Sequence, residues 1–94
     1  MAEQVHVRCE ESEGGWRCAV SVQDAGGKSE HSVHVTQADL ERWGGAGQDV
    51  DDLVARAFAF LLEREPATSI LRQFELAVIQ RYFPEFDESF RRGR

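Results

Sequence analysis

The stretch Asp49–Glu65, DVDDLVARAFAFLLERE, constrains the fold of this chain more than any other. It opens on acidic residues that suit a helix N-terminus and stops at Pro66, which restricts Glu65 and ends a helix. Asp49 is the expected cap, with Asp51 and Asp52 in the first turn. Between these signals Val50, Leu53, Val54, Ala57, Phe58 and Leu61 form a wide apolar stripe, and Phe60 and Leu62 carry it further around the cylinder. Such a helix must be covered on more than one side, so the remaining segments are expected to be its cover. At about 1.5 Å per residue it spans roughly 22 Å from Val50 to Arg64, enough to cross a small sheet.

The N-terminal third supplies that sheet. Val5-His6-Val7-Arg8-Cys9, Trp16–Val22 and Glu30–Val35 alternate apolar and polar residues with the period of half-buried strands. Gly14-Gly15 and Gly26-Gly27 mark the turns between them, and together they predict an antiparallel β-meander. One face is apolar (Val5, Val7, Cys9, Trp16, Cys18, Val20, Val22, Val33 and Val35, with His31 inward). The other carries His6, Arg8, Arg17, Ser21, Ser32 and His34. A sheet with one apolar face needs a layer laid upon it.

Thr36 is placed to cap a short helix, Gln37–Trp43, with Asp39 completing a capping box, and Gly44–Gly47 ends it. After the central helix, Thr68 or Ser69 caps a further segment. Ile70, Leu71, Phe74, Val78 and Tyr82 follow one stripe, while Leu76, Ile79 and Phe83 follow another. Two stripes fit one helix covered on two sides, or a break near Phe74-Glu75; the single helix is the simpler expectation. Pro84 closes the segment. The expected fold is α+β: a three-stranded antiparallel sheet, then a short helix, a long central helix and a C-terminal helical segment on one sheet face. It divides as a 5–35 meander, a 36–86 helical layer and a mobile charged tail, 87–94, within a single 94-residue domain.

Composition removes several function classes. The formal charge of −6 weighs against general nucleic-acid binding, which needs a positive surface to displace counterions. No apolar run approaches the roughly 20 residues of a membrane helix, and the N-terminus lacks a signal peptide's basic and apolar regions. The expected compartment is therefore cytoplasmic. There Cys9 and Cys18 are expected as thiols, although neighbouring strands make a cross-strand pair conceivable.

Chemistry-bearing constellations are sparse. His31 and His34 fall on opposite faces of a strand, and His6 and His34, on the outer strands of a meander, lie roughly 10 Å apart, too far to share an ion. Cys18 with His31 is the one inward Cys/His combination, and both suit the core. The glycines of Gly44–Gly47 are followed by Gln48-Asp49, where a phosphate-binding loop needs Lys and Ser or Thr. Glu63 and Glu65 are two apart and do not face each other on a helix. No catalytic residue, cofactor or metal ligand is assigned. Two surfaces remain: the arginines Arg64, Arg72 and Arg81, and the aromatics Trp43, Phe83, Phe86 and Phe90 at segment ends. The aromatics either seal a thin core or mark an interface. The function expected is a non-enzymatic module that binds a protein partner or itself. A nucleic-acid-binding module using the hairpin arginines is the alternative.

The run FLLEREP, two residues, SILRQF, Leu76, Ile79 and YFPEF resembles the C-terminal pattern of a family of small uncharacterised bacterial proteins. The resemblance covers mainly residues 50–86 and implies a bacterial origin. It carries no assigned chemistry. Its distinctive residues, Arg64, Pro66, Ser69, Leu71, Tyr82 and Pro84, are expected at helix ends and in hairpin packing.

Overall fold

The computed structural model describes residues 4–24, 27–44 and 49–92, and the side chains of residue 24 and residues 89–92 are not described. The protein is α+β, with a four-stranded mixed sheet carrying helices on one face. Strands β1 (Gln4–Ser12), β2 (Gly15–Asp24) and β3 (Gly27–Thr36) form the meander. Their registers run one residue to one along their whole length, from Gln4↔Gln23 to Ser12↔Gly15 and from Gly15↔Thr36 to Asp24↔Gly27. Gly14 turns the first hairpin at φ 71°, a conformation that costs glycine little. At Gly15 any Cβ would strike the carbonyl of Val35, so close strand approach excludes a side chain there. The alternation has the expected phase: Cys18, Val20, Val22, Val33 and Val35 are buried, while Arg17, Ala19 and Gln23 are exposed.

The capping box at Thr36 is formed. Thr36 Oγ1 accepts from the Asp39 backbone N–H, and Asp39 Oδ2 accepts from the Thr36 N–H, which starts α1 (Gln37–Trp43). Helix α2 (Val50–Leu62) buries Val50, Leu53, Val54, Ala57, Phe58, Phe60 and Leu61, and lies over β1 and β2. Asp49 occupies its N-cap position, but its side chain makes no capping bond, contrary to the expected role. The helix ends near Leu62 rather than at Glu65, and the N–H groups of Arg64 and Glu65 close on the carbonyl of Leu61.

The main correction lies beyond Pro66. The segment expected as one helix over residues 69–83 is a single 3-10 turn (Ala67–Ser69), a strand β4 (Gln73–Glu75) and a short helix α3 (Val78–Tyr82). β4 runs parallel to β3 in the register Ser32↔Gln73, Val33↔Phe74 and His34↔Glu75, making the sheet four-stranded and mixed where three antiparallel strands were expected. The cause is the open edge of β3, whose backbone groups need partners. The Ser32 N–H donates to the Arg72 carbonyl (2.7 Å) and the Leu76 N–H to the His34 carbonyl (2.9 Å), bonds a continuous helix could not supply. Helix α4 (Glu85–Arg92) takes in most of 87–94, and Phe86 is fully buried. Residues 45–47 of the expected Gly44–Gly47 connector and residues 93–94 lie outside the described residues.

Cys9 and Cys18 are joined by a disulfide, which replaces the expected pair of thiols. The meander register sets them directly opposite each other on adjacent strands. Among the described residues, no helix is long and apolar enough to cross a membrane.

Candidate binding cleft

The end of the molecule beyond α2 is sealed by an aromatic chain. Trp43 packs edge-on against Phe86 (5.2 Å between centroids), Phe86 against Phe60 (5.2 Å) and Phe60 against Phe83 (6.0 Å). The Trp43 indole N–H donates to Asp87 Oδ1 at 2.9 Å, and Arg42 Nε reaches the same oxygen at 3.2 Å, clasping α1 to α4. Trp43 and Phe86 are thus core residues of this chain. Phe83 is half-buried, and the Phe90 side chain lies outside the described residues.

Arg64 lies over the Phe60 ring, with Cζ 3.7 Å from the centroid. It donates to the Phe60 carbonyl at 3.0 Å and pairs with Glu85 at 3.3 Å and Glu63 at 3.4 Å. Its charge is spent on neighbours within the chain. The Glu85 carboxyl is held below its ordinary value by a hydrogen bond from its own backbone N–H and then by Arg64. Arg72, beside β4, and Arg81, on α3, are exposed.

Between α2, β4 and α3 lies a cavity of about 160 Å³, open to solvent. Leu61, Ile70 and Ile79 are its buried floor, with half-buried Phe74, Val78 and Phe83 as walls. Leu71 (50% exposed) and Tyr82 (68% exposed) stand at its mouth, the two large hydrophobic side chains left in solvent among the described residues. Glu65 and Ser69 add the polar groups. A cavity of roughly 150 Å³ holds one benzene ring, so this one admits a single aromatic or aliphatic side chain.

His31 holds the rim in place. It is 5% exposed and packs against the Phe58 ring (5.3 Å). Its Nδ1 lies 2.8 Å from the Leu71 carbonyl and its Nε2 2.9 Å from Ser29 Oγ. A carbonyl only accepts, so Nδ1 carries the proton, and in the neutral ring Nε2 accepts from the Ser29 hydroxyl. The imidazole thereby ties β3 to the backbone of Leu71, forty residues away. Sequence reasoning placed His31 inward but missed this role, and it assigned Leu71 and Tyr82 to hairpin packing. The structure instead leaves both side chains exposed.

The other candidate chemistry is not assembled. Cys18 is in the disulfide and faces Val33, while His31 faces Val20. His6 faces Ser21, and His34 faces Arg17 and Glu75, so the two are separated along the strands as well as across them. Among the described residues no group of three or more His, Cys, Asp or Glu side chains could hold a metal ion. The open sheet face carries groups of both signs, as in the row Glu10–Arg17–His34–Glu75. No family model, curated protein or solved structure matches the chain.

Proposed function

We propose that the protein is a non-enzymatic binding module that recognises a protein partner by taking one apolar side chain into the cleft between α2, β4 and α3. The observation that carries this reading is the exposure of Leu71 and Tyr82 together at the mouth of an apolar cavity. Paired exposed hydrophobics around a concave site are unfavourable in isolation and typical of interface anchors. The engagement of Arg64 with Glu63 and Glu85, in a chain of formal charge −6, favours a protein ligand over nucleic acid.

The test compares captures from a bacterial lysate by the wild-type protein and by Leu71→Ser/Tyr82→Ser. Both positions are exposed, so the variant should melt within about 0.5 kcal/mol of the parent's stability. A protein retained by the wild type and lost from the variant supports the reading. Equal retention by both sinks it.

A further inference from the structure

The geometry points to a second interaction surface, the outer edge of β1, and to its occupant, a second copy of this chain paired antiparallel about Cys9. The opposite edge of the sheet ends in β4, a strand of three residues. β1 is nine residues long, and its register with β2 is free of bulges. Proline and lysine, two usual edge guards, are absent from it. Among the described residues, no strand pairs with its outer side.

The phase of this edge is set. Cys9 and Cys18 are 4.0 Å apart at Cα, the close spacing of a non-hydrogen-bonded pair. The N–H and C=O of Cys9 therefore face away from β2, and by alternation so do those of Val5, Val7 and Glu11. These residues bear their side chains on the helix-covered face, where Val5, Val7 and Cys9 are only half-buried. An antiparallel partner in phase with this edge would form Cys9↔Cys9 and Val7↔Glu11 as hydrogen-bonded pairs, each exchanging two backbone bonds.

Charge selects the register. Centred on Cys9, Arg8 of each copy stands opposite Glu10 of the other, twice across the two-fold axis and at the closer, non-hydrogen-bonded sites. Centred on Arg8, two guanidinium groups would oppose each other, and centred on Val7, His6 would oppose Arg8. Only the Cys9 register makes the strand self-complementary, as a two-fold interface requires. It joins two four-stranded sheets into one continuous sheet with both helical layers on the same side. The Cys9–Cys18 disulfide then anchors the seam at its centre.

Sedimentation equilibrium on the oxidised protein tests this. The wild type is expected as a dimer, with its mass falling to the monomer on dilution. Arg8→Glu and Glu10→Arg each set like charges against each other at two symmetry-related sites, and each should weaken association about tenfold or more. The double variant Arg8→Glu/Glu10→Arg should restore it. The proposal does not rest on the cleft: Leu71→Ser/Tyr82→Ser should dimerise like the wild type. A wild type that stays monomeric to high micromolar concentration overturns the proposal. So does a dimer that both single variants leave unchanged, or one that the double variant fails to restore.

Discussion

Replacing His31 with Phe tests whether the imidazole is the tie that positions the cleft. His31→Phe keeps a ring against Phe58, now at 5.3 Å, and removes both nitrogens. The Ser29 hydroxyl, near the end of β3, can turn to water. The Leu71 carbonyl, bonded at 2.8 Å in a partly buried site, loses its donor. An orphaned polar group of this kind costs about 1–3 kcal/mol. The added apolar burial of Phe offsets part of it, leaving a net loss of roughly 1–2 kcal/mol. In a domain of this length each kcal/mol lowers Tm by roughly 4–8 °C, so thermal melts should fall by about 4–16 °C. Hydrogen exchange gives the finer reading. The amides of Ser32 and Leu76, which bond the Arg72 and His34 carbonyls, should exchange faster, while α1 amides should not change. A Tm within a degree or two of the parent, with Ser32 and Leu76 still protected, would show that the imidazole is not the tie.

Three further outcomes are expected. Cys9→Ser/Cys18→Ser should lower stability by ~2–3 kcal/mol by the loop-closure relation for a link of this separation, measured by denaturant melts; an unchanged midpoint would show that the hairpin holds without the bond. Trp43→Phe keeps the edge-on packing with Phe86 but removes the N–H donated to Asp87, a bond to a charged group worth about 1.5–3 kcal/mol, and urea titration should show a loss of that order. The folded-state pKa of Glu85 is depressed, so its contribution to stability is complete above the unfolded value and is lost as pH falls through the lower folded one. Glu85→Gln should therefore flatten the stability–pH curve in the acidic range below 4.5 and leave its slope near neutrality unchanged.

Local signals were legible where local physics decides the structure. The period-two alternation from Val5 to Val35 specified the meander and its buried face, because a slip of one residue would have turned every valine to solvent. Thr36 and Asp39 marked the start of α1, and the apolar body of α2 named its own buried residues. The strand β4 was not legible. Gln73-Phe74-Glu75 does alternate, but three residues cannot compete with a helical stripe through Ile70, Phe74 and Val78. What decides the matter is the unpaired edge of β3, 41 residues earlier in the chain. The cleft was hidden for the same reason. Leu71 and Tyr82 fit a helix hairpin by spacing, and only the strand that interrupts that hairpin turns them outward. The terminal aromatics were ambiguous until α4 brought Phe86 against Trp43 and Phe60. The disulfide was legible as an opposed pair, but the expected compartment argued against it.

Recognition through the cleft mouth can be read by site-specific photocrosslinking in bacterial cells. A benzophenone amino acid placed at Leu71 or at Tyr82 reports what touches the rim, and one at exposed Asp51 on α2 serves as the control. One discrete protein adduct shared by positions 71 and 82 and absent at 51 is expected. The same adduct at all three positions, or none at 71 and 82, would contradict recognition through the cleft mouth.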